Sequence, residues 1–509
     1  MVDRKLKRAG GRASRVAARQ APQSEFDPSA PGQIGGQYKP LNQHELIKTL
    51  DTAYKILAEI GMAEVPQVIE DLALSKGAHL NDRGRLCFPK AMMEDIIDGA
   101  AKSFIYYGRD PKHDFEVGGD KVYFGTGGAA VQTLDLAEGI YRPSTLKDLY
   151  DFTRLIDTLE NVSWFTRCCV ATDVPDNFDL DINTAYALLR GTTKPVGTSF
   201  TLGSSVDPII DMFDIAMGGD GSFAKRPFCK AHISPVISPL RYGEDAVDVT
   251  MACIKRGVPI NSIIAAQSGA TAPATLAGML AQTTAETLAG LALVNLLEPG
   301  YPMIFSNWPL VIDLRTGAFC GGGGEISVMN AAAAQISNYL GLPSGVASSM
   351  SDAKSVDAQM GAEKALSSLA AGLSGANMVY ESSGMMASLL GASFEAFVLD
   401  NEMLSHVHRT IRGIEVNEET LGFEAIKEAV YGEGHFLGGS HTMDAMQRDY
   451  YYPKIANRDD PRSWADNGRV DAWSAAKQKA LSILDSHHPD YLSFDADQKI
   501  HERFNILLD

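Results

Sequence analysis

The chain has 509 residues, 45% hydrophobic and 21% charged, an ordinary globular composition that allows one large domain with additions or two to three domains. Its formal net charge of −18 argues against nucleic acid as a partner and leaves a cationic ligand tolerated or favoured. No apolar run is long enough to span a bilayer, so no membrane partner is expected; the most apolar, "LAGLALVNLLEPG" (288–300), reads as a buried helix.

The first stretch, "MVDRKLKRAGGRASRVAARQ" (1–20), carries seven Lys/Arg and one Asp and lacks the apolar centre of a signal peptide, so it reads as a flexible basic leader. "QSEFDPSAPGQIGGQYKP" (23–40) continues it as a Pro/Gly-rich lead-in. Residues 41–120 are expected to form an N-terminal helical extension, with "NQHELIKTLDTAYKILAEIG" (42–61) its clearest helix. The six cysteines (Cys87, Cys168, Cys169, Cys229, Cys253 and Cys320) contain no Cys-x-x-Cys pair, and the adjacent Cys168 and Cys169 are badly placed for a mutual disulfide. A reducing cytoplasm suits them. On a strand, Cys229 and His232 would face opposite sides, and no metal site is expected.

From 121 to 385 a regular alternation sets in. Runs rich in β-branched or aromatic residues occur at 122–126, 163–171, 195–200, 228–235, 259–266, 302–307, 344–350 and 377–382, each followed by a helix-like segment. "STLKDLYDFTRLIDTL" (144–159) puts Leu146, Leu149, Phe152, Leu155, Ile156 and Leu159 on one stripe behind Ser144 or Thr145 as N-cap. Eight strand–helix units over about 260 residues match a TIM (β/α)8 barrel. A doubly wound sheet is the rival, but "FGTGGAA" is not a nucleotide-binding glycine fingerprint. Residues 386–509 hold further helices, including "SFEAFVLDNEMLSHVHRTI", "TLGFEAIKEAVYG" and "DAWSAAKQKALSIL", expected to pack on the barrel or to link subunits.

In a barrel, chemistry gathers where strands end. Those ends offer Thr126, Thr172, Asp173, Ser199, Phe200, His232, Ser234, Gln267, Asn307, Trp308, Met350, Asp352, Glu381 and Ser383. Asp173 and Asp352 serve equally well as helix caps. Lys230, His232 and Ser234 alternate on one strand face. Lys230 is then a Schiff-base or general-acid lysine, or one half of an ion pair with Asp173 or Asp352. "GAFCGGGGEISV" (317–328) joins four glycines to Glu325 at a helix start. The loop either folds over a flat ligand with Glu325 facing a cation, or Glu325 complements the helix dipole.

The segments 122–157, 321–346, "SDAKSVDAQMGAEKA" (351–365), 380–403 and "GSHTMDAMQRDYYYPKIANRD" (439–459) together resemble the trimethylamine methyltransferase superfamily. The resemblance implies a TIM barrel whose mouth binds a methylated amine, and methyl transfer to cob(I)alamin, the Co(I) corrinoid of a partner protein, with no tightly bound cofactor. It also implies a homo-oligomer. Met350 stands where archaeal trimethylamine enzymes carry pyrrolysine, which points to the non-pyrrolysine members that resemble glycine betaine methyltransferases. A quaternary ammonium leaves as a neutral tertiary amine, so neither proton donor nor electrophilic cofactor is required. Phe124, Phe200 and Trp308 are the candidate cage, with Glu325, Asp352 and Glu381 as charge partners. His232, Lys354 and His441 are candidate donors to a betaine carboxylate, Met350 lines the site, and Gly321, Gly322, Gly323 and Gly324 are candidates for approaching the corrinoid. Two other functions fit the sequence: a barrel lyase or aldolase acting through Lys230, and a member that binds amine or corrinoid protein without turnover.

Overall fold

The computed structural model describes residues 27–508, so the basic leader at 1–20 lies outside the described residues. Eight strands carry the alternation: β1 (Lys121–Phe124), β2 (Phe165–Thr166), β3 (Val196–Thr198), β4 (Cys229–Ile233), β5 (Ile260–Ile264), β6 (Met303–Asn307), β7 (Ser344–Ala347) and β8 (Met378–Tyr380). Seven of the eight runs expected from sequence contain one of them, and the run at 122–126 overlaps β1, which starts one residue earlier. Neighbours from β2 through β8 pair in parallel in chain order, and β8 pairs in parallel with β1. A short antiparallel strand, Gln33–Ile34, lies on the free edge of β1 and makes this a nine-stranded sheet.

The sheet is curled until its ends meet. Gly125 and Trp164 form a parallel bridge, flanked by a hydrogen bond from Ser163 N to Phe124 O at 2.8 Å. Glycine is required there, because a Cβ on residue 125 would lie 2.2 Å from the Trp164 ring.

A helix follows each strand. These are α2 (Leu146–Asp157), α3 (Asn177–Gly191), α4 (Val206–Ala216), α5 (Glu244–Lys255), α6 (Leu276–Leu297), α7 (Gly324–Tyr339), α8 (Ala358–Leu373) and α9 (Phe394–Arg412), while α1 (Gln43–Lys55) belongs to the N-terminal extension. Their starts follow capping chemistry. Asn42 with Glu45 and Thr145 with Asp148 form capping boxes, and Asp176, Asp357 and Ser393 accept first-turn N–H groups. α6 contains the most apolar stretch and is buried almost all round, because it lies between β5 and β6 on one side and α1 with two further extension helices on the other. Among the described residues no helix is long and apolar enough to cross a membrane.

Two N-terminal segments differ from the simplest expectation. The extension at 41–120 contains two hairpins as well as helices, and the second pairs Ser103–Tyr106 with Phe115–Gly118. Its alternation turns Tyr106 and Phe115 inward, against Trp164 and Tyr123. The Pro/Gly-rich lead-in is tied down where it is described: Gly32 N donates to Val122 O, and Gly36 N and Tyr38 N both donate to Leu373 O, each at 2.9 Å.

Candidate functional site

Inside the curled sheet, Thr166, Gly197 and Lys230 lie on one level, set by the register of β2, β3 and β4. Lys230 Nζ donates to Thr166 Oγ1 at 2.7 Å and is ringed by Tyr380, Tyr106 and Trp164, whose centroids lie 4.9, 5.4 and 5.9 Å away. A side chain on residue 197 would collide with this ammonium, its Cβ only 2.6 Å from Nζ. Complete burial pushes the Lys230 amine down to about 7. The ion pair expected for it does not form. Asp173 accepts the Leu146 N–H at the start of α2, at 2.9 Å, and Asp352 is engaged elsewhere.

The next level up is aromatic. His232, Trp308 and Tyr380 face one another with centroids 5.4 to 5.6 Å apart, contributed by the ends of β4, β6 and β8. His232 Nδ1 lies 3.0 Å from Asn261 Nδ2, so it accepts and the proton resides on Nε2. Burial, then the charges of Lys230 and Arg167, hold His232 well below the usual imidazole range. At neutral pH it is an uncharged ring. Met350, fully buried, packs into the same cluster. The ring cluster presents electron-rich faces, and with Lys230 neutral the one positive charge shown near it is that of Arg167, a setting that suits a zwitterion whose cation lies on the rings.

Glu381 follows Tyr380 directly. It holds a left-handed backbone conformation (φ 61°), uncommon for a residue with a Cβ. Its carboxylate lies over the Gly127–Gly128 backbone, where a Cβ on either glycine would come within 2.9 Å of an oxygen. Oε2 has no hydrogen-bond partner among the described residues, and burial pushes the carboxyl up to about 8. A buried, left-handed, unpartnered carboxyl directly after one of the three rings is a candidate functional position.

The turn after β7 is different. Asp352 Oδ1 accepts from Gly321 N at 2.6 Å and Ser388 Oγ at 2.7 Å, while Oδ2 accepts from Gly322 N at 3.3 Å. Glu363 accepts from Ser351 Oγ and Asp352 N, Asp357 caps α8, and Lys354 Nζ donates to Asp352 O. These ionisable groups clamp the glycine loop over Met350. Asp352 is therefore no charge partner for a cation in this conformation, and Lys354 is an exposed group bound to its own turn.

Several expected residues lie elsewhere. Phe124 faces outward, its ring edge-on to His408 of α9 at 5.0 Å, because strand alternation turns Tyr123 rather than Phe124 inward. Phe200 packs in the core shared with the helices. His441 lies in the C-terminal segment, its Nε2 3.1 Å from Glu419 O. Glu325 is exposed in the first turn of α7, where it complements the helix dipole. The structure thus brings together His232, Trp308 and Met350, sets Glu381 one residue beyond Tyr380 over Gly127 and Gly128, and leaves Phe124, Phe200, Lys354 and His441 outside their company.

Four contributors escaped the sequence reading. Tyr380 and Trp164 complete the rings. Arg167 stands half-buried at the end of β2, with no side-chain hydrogen bond or ion pair among the described residues, near enough to His232 to depress its basicity. The fourth is a buried pair: Lys364 Nζ donates to Asp400 Oδ2 at 2.9 Å and to Ser349 O at 3.0 Å, and Asp400 accepts from Gly384 N at 2.7 Å. It ties the β7 turn that carries Met350 to the β8 turn that carries Glu381.

The family model described as trimethylamine methyltransferase matches residues 8–505. A trimethylamine methyltransferase of Desulfitobacterium hafniense (strain DSM 10664 / DCB-2) is 28% identical over 89% of this chain and 90% of its own. A glycine betaine methyltransferase of Desulfitobacterium hafniense (strain Y51) is 26% identical over 92% of this chain and 97% of its own. A trimethylamine methyltransferase of Methanosarcina thermophila is 32% identical over 78% and 83%. Among solved structures, the monomethylamine methyltransferase of Methanosarcina barkeri aligns with a TM-score of 0.49 at 12% identity, over 92% of this chain and 99% of that one.

Proposed function

The chain belongs to the trimethylamine methyltransferase family, and on that premise we propose that it moves a methyl group from a quaternary amine, glycine betaine or a close relative, to the Co(I) corrinoid of a separate partner protein. Residues 121–385 act as a (β/α)8 barrel, a reading supported by eight parallel strands and the Gly125–Trp164 closure. Residues 41–120 serve as its N-terminal extension and 386–509 as a helical region packed against it. The single observation that carries the function is the box of His232, Trp308 and Tyr380, with the unpartnered Glu381 next to Tyr380 in the chain.

The chemistry asks little of such a site. The nitrogen already bears a full positive charge, so its bond to the departing methyl breaks with both electrons going to nitrogen, and a neutral dimethylamino product leaves. No proton has to be supplied, which agrees with a neutral His232 and with an ordinary Met350. The partner's corrinoid supplies the nucleophile. This chain excludes water, aims one methyl outward and holds the cation between ring faces and the Glu381 carboxylate. The substrate carboxylate lies at Arg167, a half-buried guanidinium with its fork of donors uncommitted. His232 remains a candidate second donor through Nε2, whereas Lys354 and His441 are too remote to serve. Gly323 and Gly324, on the rim and without side chains to obstruct, suit the approach of a flat macrocycle, while Gly321 and Gly322 are held by Asp352.

Incubation of the purified protein with cob(I)alamin and a panel of methylated amines tests the proposal. Methylcobalamin and dimethylglycine are expected from glycine betaine, with choline slower because it offers Arg167 no carboxylate. Methylcobalamin from none of the panel overturns it. The lowered basicity of Lys230 favours one alternative, a Schiff-base lyase or aldolase. That alternative requires borohydride to trap a carbonyl substrate on Lys230, which Thr166 and three rings enclose.

A further inference from the structure

Asn261 and Ser306 are polar side chains buried among apolar neighbours. The register of β4 and β5 sets His232 beside Asn261, and that of β6 and β7 sets Ser306 beside Gly345. Asn261 and Ser306 are both fully buried, while Ile263, Ile304, Ala347 and Met378 join one apolar cluster with Trp308 and Tyr380. An amide and a hydroxyl in such a place carry a desolvation penalty that apolar side chains of similar size would avoid. Gly345 is committed to the same arrangement, since a Cβ there would lie 2.0 Å from Ser306 Oγ. Three consecutive strands, β5 to β7, thus give up apolar packing to keep one chain of hydrogen bonds.

The chain of bonds has a direction. Ser306 Oγ donates to Asn261 Oδ1, and Asn261 Nδ2 donates to His232 Nδ1 at 3.0 Å. Turning the amide round would strand the Ser306 hydroxyl hydrogen, for which no other acceptor is present among the described residues, and an unmade buried hydrogen bond is unfavourable. Ser306 therefore fixes the amide, the amide fixes the imidazole, and the proton is left on Nε2. His232 is half-buried, and its Nε2 has no protein partner among the described residues. The ring packs against Trp308 and Tyr380, so its free edge lies at the ring cluster.

We propose that Asn261 and Ser306 are positioning residues that hold His232 as a hydrogen-bond donor at the ring cluster, and that the site thereby selects amines bearing a carboxylate over amines bearing a hydroxyl. The inference rests on a methylated amine being the ligand. An N–H aimed at a carboxylate makes a charge-assisted bond, stronger than the neutral bond it makes to a hydroxyl. The opposite tautomer would present a lone pair instead, which repels a carboxylate and accepts from an alcohol. The choice between two quaternary amines of similar size is then made one and two side chains behind the ring.

Isotope-edited nitrogen NMR of the histidine-labelled full chain reads the tautomer, the His232 signals being those lost in His232→Gln. The proton is expected on Nε2 in the wild type. Asn261→Asp keeps the shape and reverses the middle bond: its carboxylate accepts, so at alkaline pH the neutral ring is expected to carry its proton on Nδ1. The ratio of glycine betaine to choline affinity, measured by calorimetry without cobalamin, is expected to fall by about tenfold in that variant. Arg167 is unchanged in it, so part of the preference persists. Ser306→Ala frees the amide to turn and is expected to show both tautomers and an intermediate ratio. A wild-type proton on Nδ1, a wild type that binds choline as tightly as glycine betaine, an Asn261→Asp chain that keeps its proton on Nε2, or a moved proton with an unchanged ratio would each overturn the proposal. The wild-type tautomer and Ser306→Ala keep the test decisive if Asn261→Asp fails to fold. Neither readout needs turnover, so methylcobalamin formed from no amine would strike the methyl-transfer reading while tautomer and affinity ratio still judge this one.

Discussion

The turns after β7 and β8 lie side by side and are built on opposite principles. After β7, the carboxylates of Asp352, Asp357 and Glu363 all have hydrogen-bond partners, and the result is a clamp on a glycine loop. After β8, Glu381 is fully buried, left-handed and short of a partner. The density of ionisable residues drew attention to the first turn, yet the isolated one has the attributes of a functional group. A cluster of charges near a strand end is most often its own explanation; a buried carboxyl that the fold leaves without a partner is not.

The two turns share one buried fastener, and breaking it has the largest expected effect. Lys364→Ala leaves Asp400 without its cation in a dry environment while releasing Ser349 O and loosening Gly384 N. A loss of about 3–5 kcal/mol is expected, read as the shift in a chemical-unfolding midpoint. A loss under about 1 kcal/mol, as for a surface pair, would show that water reaches the pair and that the turns are independent.

Next in size is a direct contest between the turns. Glu381→Gln removes the proposed cation partner while keeping the shape, and a fall of about 10²-fold in kcat/KM is expected, equivalent to about 2.7 kcal/mol of lost transition-state stabilisation. Its stability should depend on pH in a definite sense. The folded-state carboxyl is raised from 4.5 to about 8, so the folded chain holds a proton that the unfolded chain releases, and the stability this confers is lost as pH rises through about 8. The variant is expected to match wild type near pH 4 and to exceed it increasingly up to about pH 8, above which the difference stays level. Asp352→Asn is expected to do the reverse, costing about 1–2 kcal/mol of stability through its weakened bonds to Gly321, Gly322 and Ser388 with a smaller effect on turnover. If the two variants exchange these signatures, the functional carboxylate has been assigned to the wrong turn.

This contest also shows what the sequence disclosed. The eight strand positions were legible because β-branched runs alternate with capped, amphipathic segments, and the rule that strand ends meet anticipated the grouping of Trp308, His232 and Met350, with Glu381 one residue past Tyr380. Phe124 and Phe200 were misplaced because position near a strand end does not reveal which face of the sheet a side chain occupies. Tyr380 was hidden by one residue of alternation, within a run whose named candidates were Glu381 and Ser383. Tyr106 arrives from a hairpin outside the eight units, a contact with Val196 spanning 90 residues that no local pattern announces. Arg167 sat inside "SWFTRCCVA", where a guanidinium in a β-run gave no sign of being left unpaired.

The smallest predicted effect separates the two levels of the site most finely. A quaternary ammonium does not titrate, so any pH dependence of its binding comes from the protein. Of the groups around the rings, His232 stays neutral across the accessible range and Arg167 stays charged, which leaves Lys230 and Glu381. As pH rises, Lys230 loses its positive charge near 7 and Glu381 gains a negative one near 8; both changes favour a bound cation. The affinity for glycine betaine is therefore expected to increase from pH 6 to pH 9, by roughly tenfold if the cation draws the Glu381 pKa down by about one unit. Isothermal titration against a chain carrying Lys230→Met should lose the limb near 7 and keep that near 8, and Glu381→Gln should do the opposite. A flat profile in the wild type would mean that neither level senses the ligand's charge, and that the rings bind something other than a cation.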